Sequence, residues 1–162
     1  MSVKKILFIC MGNICRSPSA EAVFTQLLKS KGEDQFYYVD SAGTLSYHAG
    51  SKPDRRSMLA AAKRGLNMSH LRARQVVSED YEKFDWLVVM DEDNRDNLIK
   101  MFPAQQQDKV VSMMRFAKDS SYDEVPDPYY GKGDGFELVL DLLEQACNGL
   151  YEFLTENKVT PL

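Results

Sequence analysis

Cysteine is scarce in this 162-residue chain, and its three copies, Cys10, Cys15 and Cys147, are odd in number. That count and spacing fit no disulfide framework and no zinc signature, so reduced thiols in a reducing compartment are expected. Histidine is scarcer still. The two copies, His48 and His70, belong to no HExxH or CxxC pattern, which argues against a metal site. Positive charge is also short: 20 Lys and Arg against 24 Asp and Glu leave a net charge of -4. A broad nucleic-acid or anionic-membrane surface, which favours a basic face, is therefore not expected, although a local positive site is not excluded. Long apolar runs are missing too. The N-terminal run from Ile6 to Cys10 is too short for a signal-peptide core or a membrane span. No repeat, linker or low-complexity segment divides the chain. These absences predict a soluble cytoplasmic protein, one domain over residues 1–162, with no cofactor, no metal and no nucleic-acid partner.

What is present alternates between strand and helix signals. Val3 to Cys10 is nearly all apolar after its lysines, as in a strand buried on both faces. Ser17 and Pro18 suit the N-cap and first position of a helix whose apolar stripe is Ala22, Val23, Leu27 and Leu28. "FYYVDSAG" reads as a second strand. "PDRRSMLAAAKRG" reads as a helix stopped by Gly65. "FDWLVVMD" is a third strand, "EDNRDNLIKMF" a helix ended by Pro103, and "KVVSMM" a short fourth strand. Ser120 to Gly135 contains Pro126, Pro128, Gly131, Gly133 and Gly135, the composition of a long loop. "FELVLDLLEQACNGLYEFL" has helical spacing throughout. Four such alternations predict an α/β fold: three αβα layers around a four-stranded parallel sheet, flavodoxin-like or Rossmann-like. Function in such folds sits at the carboxyl ends of the strands, where Cys10, Ser41, Asp91 and the segment after Met113 fall.

The loop "CMGNICRS" carries the chemistry. It joins a strand end to a helix N-terminus, where free backbone N–H groups and the helix dipole favour an anion. Gly12 permits a turn barred to other residues and Asn13 tolerates left-handed backbone, so successive N–H groups from Met11 to Ser17 can converge as an anion nest. Arg16 adds a planar fork that pairs two oxygens of a phosphate. The field that binds a tetrahedral oxyanion also stabilises a thiolate, so Cys10 beneath it is a candidate nucleophile for in-line attack on phosphorus. A bland alternative is a buried structural cysteine; the strand–loop–helix context with Gly12, Asn13, Ser17 and Pro18 favours function.

Cleavage of a phosphate ester also needs an acid to protonate the leaving oxygen and then a base to activate water. Asp127 in "EVPDPYYGKGDGF" is the candidate. Prolines flank it on both sides and stiffen the loop, and two tyrosines follow.

With these residues in hand, "CMGNICRSPSAEAVF", "VDSAGT", "MDEDN" and "PDPYYG" resemble, in order and spacing, the low-molecular-weight protein tyrosine phosphatases over nearly the whole chain. The resemblance implies a metal-independent phosphotyrosine phosphatase with Cys10 as nucleophile. Arg16 would bind phosphate and Asp127 would serve as general acid, then base. It implies that Met11, Gly12, Asn13, Ile14, Cys15, Arg16 and Ser17 form the phosphate loop. Asn13 would brace that loop with help from Ser17, Ser41 and His70. It implies that Tyr129 and Tyr130 form one wall of a slot for a phenyl ring and Tyr47 the other. Isoleucine at position 14 resembles the tyrosine-specific branch rather than phosphoarginine phosphatases, which typically carry threonine there. Cys15 would be a redox partner of Cys10, forming a reversible disulfide under peroxide. The implied partners are phosphotyrosine proteins, a tyrosine kinase among the candidates, and inorganic phosphate as product and inhibitor. The expected state is a monomer or weak homodimer.

Two other functions share parts of this pattern. A thioredoxin-coupled arsenate reductase needs a further cysteine pair near the third strand, and "SEDYEKFDWLVVMDED" contains none. A catalytically dead phosphate-binding module would be expected to lose Cys10 or Asp127, and both are present.

Overall fold

The computed structural model describes residues 3–131 and 134–159, with side chains through 156. Lys132 and Gly133, the latter counted above in the long loop, lie outside the described residues. Four strands form one parallel sheet: β1 (Lys4–Cys10), β2 (Tyr37–Gly43), β3 (Trp86–Val89) and β4 (Val110–Ser112), in the order β2-β1-β3-β4. In register, Cys10 stands beside Gly43 of β2, and Ile9 beside Val89 of β3. The helices are α1 (Arg16–Ser30), α2 (Arg55–Ala62), α3 (Asp80–Lys83), α4 (Glu92–Met101) and α5 (Gly135–Val159).

Strand periodicity divides β1 between two cores. Successive side chains point to opposite faces of a sheet. Ile6, Phe8 and Cys10 therefore meet one layer, with Val23, Phe24, Leu28, Ala61, Leu143, Ala146 and Leu150 of α1, α2 and α5. Leu7 and Ile9 meet the other, with Tyr81, Phe84 and Leu98. This produces the three layers expected from the alternating pattern. In the larger core, Phe24 meets Phe8 and Tyr37 edge-on at 5.8 and 5.9 Å. Each such aromatic buried contributes about 1.5–3 kcal/mol by removal of its surface from water.

Tight backbone contact seats α5. A Cβ on Gly149 would lie 1.9 Å from the Phe116 carbonyl oxygen, so only glycine lets the helix rest there. At its other end Gly135 abuts Pro128, whose Cβ lies 3.4 Å from where a Gly135 Cβ would stand.

Several boundaries differ from the sequence expectation. Helix α1 begins at Arg16 with Cys15 at its N-cap and no side-chain cap, rather than at Ser17. Pro18 is then the third helical residue, where its missing N–H still costs no intrahelical bond. Helix α3 is only four residues long and has no periodicity to betray it. Strand β4 is three residues and tightens into a 3-10 turn at Met113–Phe116.

Candidate active site

Strand β1 is central, with its neighbours reached by crossovers in opposite directions. A cleft at the carboxyl end of such a strand is where α/β sheets bind ligands. A cleft of about 420 Å³ opens there, lined by Cys10, Met11, Gly12, Ile14, Cys15 and Arg16, with Asp127 and a ring of apolar and aromatic residues around the mouth.

The loop between β1 and α1 keeps its shape through side chains on its hidden side. Asn13 sits in left-handed backbone, at φ 58. Its Nδ2 donates to Ser17 Oγ at 2.7 Å and to Ser41 Oγ at 3.0 Å, and its Oδ1 accepts from the Arg74 backbone N–H at 3.0 Å. Ser17 Oγ lies 3.0 Å from Cys10 Sγ. Asn13 occupies a lone pair of the Ser17 oxygen, so the Ser17 proton turns either to the sulfur or to the Ala42 carbonyl, 3.4 Å away. Gly43 makes this packing possible: a Cβ there would lie 2.6 Å from the Met11 carbonyl oxygen.

Asn13 takes the left-handed backbone as expected, while Gly12 does not; Gly12 instead gives room to His48, whose Cδ2 would be 3.0 Å from an added Cβ. The Asn13 and Ser17 side chains point behind the loop and are almost wholly buried, so any contact they make to an anion would be through backbone N–H groups. His70 does not brace Asn13. It is exposed and lines a separate groove with Glu21. Glu21 occupies the supporting place instead, accepting from Ser41 Oγ at 2.8 Å. The insertion of this carboxylate into the network leaves Ser41 no need of an imidazole.

Arg16 is 2% exposed. Its Nη1 donates to Asp91 and to the Val125 carbonyl at 3.0 Å, while Nη2 stands 3.7 Å from Asp127 Oδ2. Burial works against its charge, but the Cys10 sulfur, Asp91 and Asp127 outweigh that and hold its pKa above the usual arginine value. Asp91 is itself fixed as the N-cap of α4, accepting from the Asn94 N–H at 2.8 Å in a capping box. The "MDEDN" motif carried that signal, since an Asp followed three residues on by Asn can close such a box.

The opposite loop, 125–131, brings Asp127 over the cleft. Its Oδ1 accepts from the Tyr129 N–H at 3.0 Å. Tyr129 and Tyr130 meet edge-on at 4.9 Å; Tyr130 is 81% exposed and Tyr47, across the mouth, 85%. His48 lies between the walls, 4.8 Å from the Tyr47 ring and 6.1 Å from Tyr129. The sequence reading missed His48 and Leu45, which stand in a loop with no motif of their own.

Cys15 shares the cleft with Cys10. Burial pushes its pKa up to about 12; a Ser57 hydrogen bond opposes this, and Asp54, Cys10 and Asp127 add to it. Among the described residues no cluster of three or more His, Cys, Asp or Glu is placed to hold a metal, and no helix is long and apolar enough to cross a membrane. A thiol held over a helix N-terminus, a buried arginine fork and a carboxyl group across a slot can together perform displacement at phosphorus.

The model of the low molecular weight phosphotyrosine protein phosphatase family matches residues 5–160. A low molecular weight phosphotyrosine protein phosphatase of Schizosaccharomyces pombe is 40% identical over 148 residues, covering 90% of this chain and 94% of the relative. The crystal structure of a protein tyrosine phosphatase from Entamoeba histolytica, with Hepes in the active site, has a TM-score of 0.91 at 42% identity and covers 96% of this chain and 99% of that one. The crystal structure of YfkJ from Bacillus subtilis has a TM-score of 0.92 at 34% identity, with 98% of each chain covered.

Proposed function

The chain belongs to the low molecular weight phosphotyrosine protein phosphatases, and from that premise we propose how its residues hydrolyse phosphotyrosine in proteins. The observation that carries the reading is the convergence of Cys10, Arg16 and Asp127 on one cleft, with Ser17 Oγ 3.0 Å from the Cys10 sulfur. The whole of residues 1–162 is read as one such domain.

The phosphotyrosine dianion enters with its ring between Tyr47 and Tyr129, and Tyr130 widens that wall. Its phosphate oxygens meet the backbone N–H groups of the loop and the Arg16 fork. The Cys10 thiolate attacks phosphorus in line. A sulfur–phosphorus bond forms as the phosphorus–oxygen bond to tyrosine breaks, and Asp127 gives its proton to the departing oxygen. Asp127, now a carboxylate, takes a proton from water as that water attacks phosphorus. The sulfur–phosphorus bond breaks, the thiolate is restored and stabilised by the Ser17 hydroxyl, and inorganic phosphate leaves. Phosphate is therefore both product and inhibitor.

Ile14 lines the cleft, and an apolar side chain beside the phosphate suits an aryl ester better than a guanidinium, which needs hydrogen-bond acceptors. Cys15 is read as a redox partner: peroxide converts Cys10 to a sulfenic acid, the Cys15 thiol displaces water, and a disulfide results. The raised Cys15 pKa keeps it a thiol, so the first oxidation falls on Cys10. Non-reducing mass spectrometry after peroxide tests this; a Cys10–Cys15 bridge is expected, and its absence removes the assignment. The proposed location is the cytoplasm and the proposed partners are phosphotyrosine proteins, tyrosine kinases among them.

The central experiment measures phosphate release from a phosphotyrosine peptide in chelator, wild type beside Cys10→Ser, with phosphoserine and phosphoarginine peptides alongside. Cys10-dependent release from phosphotyrosine is expected. Preference for phosphoarginine overturns the Ile14 argument and keeps the mechanism. Release from none of them makes the chain a binding module.

A further inference from the structure

Arg56 lies outside the cleft, in the first turn of α2, yet it ties together the two loops that form it. Its guanidinium forks onto Asp54, with Nε to Oδ1 at 3.1 Å and Nη2 to Oδ2 at 2.9 Å. The same Nη2 donates to the Tyr129 carbonyl at 3.1 Å. The guanidinium also stands over the Tyr129 ring at 5.4 Å and the Phe136 ring at 4.7 Å. On the other side, the Asp54 backbone N–H donates to the Ile14 carbonyl at 2.7 Å. A continuous path thus runs from Ile14 of the phosphate loop through Asp54 and Arg56 to Tyr129, whose N–H holds Asp127 Oδ1.

The Arg56 side chain is 47% exposed, and ion pairs so exposed contribute little to stability. What the fork supplies is geometry: a planar group with donors in fixed directions can hold a carboxylate and a carbonyl at once. At its upstream end the acid loop is anchored by Val125, whose N–H donates to the Met90 carbonyl and whose carbonyl accepts from Arg16. Asp127 hangs between that anchor and Arg56.

We propose that Arg56 is a positioning residue for proton transfer: through the Tyr129 backbone it sets the height of Asp127 above the phosphate loop. This rests on reading Asp127 as the general acid. A general acid must come within hydrogen-bond reach of the oxygen it protonates, so loosening its loop should cost most where the leaving group most needs a proton.

The test compares kcat/KM, which reports the first chemical step, on phenyl phosphate and on 2,4-dinitrophenyl phosphate, whose phenolate leaves without a proton. Arg56→Ala should lose about tenfold or more on phenyl phosphate, since a displacement of about 1 Å costs up to about a hundredfold. It should lose no more than about twofold on the dinitrophenyl ester, with inhibition by inorganic phosphate and the thermal midpoint retained. Arg56→Lys should recover part of the loss, because an ammonium keeps the charge without the fork. In an Asp127→Ala background, Arg56→Ala should add nothing. Equal loss on both esters, or an additional loss in the Asp127→Ala background, overturns the proposal. If Asp127→Ala discriminates between the esters and Arg56→Ala does not, Arg56 alone is misassigned. If Asp127→Ala itself shows no discrimination, the acid assignment fails and takes this proposal with it.

Discussion

The phosphate loop and the acid loop face each other across one cleft, and different bonds hold them. Between Cys10 and Ser17 the backbone is braced from behind by side chains that bond one another: Asn13 to Ser17 and Ser41, Ser41 to Glu21, Ser17 to the Cys10 sulfur. Between Val125 and Gly131 the braces are mostly to the backbone, and Asp127 and Tyr130 stay open to water. The difference follows from what each loop must meet. An anion is bound best by dipoles that need no rearrangement when it arrives, so the cradle is finished and buried in advance. On the proposed reading Asp127 must admit a whole tyrosine before it can act as an acid, which accords with a loop that is not sealed into the core.

The largest effect should come from breaking the chemistry while sparing the cradle. Cys10→Ser should lower turnover by roughly 10⁵-fold or more, yet still bind phosphate by titration calorimetry, because the N–H groups and Arg16 are untouched. Loss of phosphate binding as well would mean that the cradle depends on the sulfur.

Breaking the acid side should be milder and cleaner. Asp127→Ala should reduce kcat on a phosphotyrosine peptide by about 10²- to 10⁴-fold, with phosphate inhibition and the thermal midpoint little changed. A drop in both would show that the acid loop is as structural as its counterpart.

Asn13→Ala strikes the cradle itself. It leaves buried hydrogen-bond partners on Ser17, Ser41 and the Arg74 N–H unmatched, and places a residue with a Cβ and no compensating amide at positive φ. A loss of about 3 kcal/mol in stability is expected, and phosphate affinity should fall with it. Chemical denaturation beside phosphate titration checks whether the two move together.

The smallest effect sharpens the comparison through pH. Burial, with Asp40 adding and Ser41 and Arg74 opposing, raises the Glu21 pKa to about 7. A carboxyl group whose folded pKa is raised binds its proton more tightly in the folded state. Its contribution is fully present below the unfolded value of about 4.3 and is lost as pH rises through about 7. Glu21→Gln should therefore flatten the thermal midpoint between about pH 4 and 7, the span from the unfolded to the folded pKa. An unchanged slope would place the titration elsewhere.

The contrast between the loops also explains what could be read from sequence. Cys10, Gly12, Asn13 and Arg16 lie within seven consecutive positions, so their chemistry was visible as a motif. There Asn13 takes the left-handed backbone its short amide allows, and what the motif did not show is that Gly12 and Gly43 are kept small by His48 and by the loop backbone. Asp127 was legible because prolines frame it. Glu21, Leu45, His48 and Arg56 come from segments apart from the loop motif, and no local spacing announces a contact made across the fold. The four strands were legible from their apolar runs, whereas α3, one turn long, has too few residues to show a period. His70 was misplaced because a residue type was carried into a support role that a carboxylate fills here.

One contact far from the chemistry ties the fold to the acid loop. Helix α5, held along its length by the larger core, meets the Phe116 carbonyl at Gly149 with no room for a side chain. Its other end, about 21 Å along the axis, presses Gly135 against Pro128, the neighbour of Asp127. A methyl group at residue 149 would strike Phe116 first, and whatever tilt it forced on the helix would reach the segment around Asp127 only by way of that distant end, with nothing in the cleft itself altered.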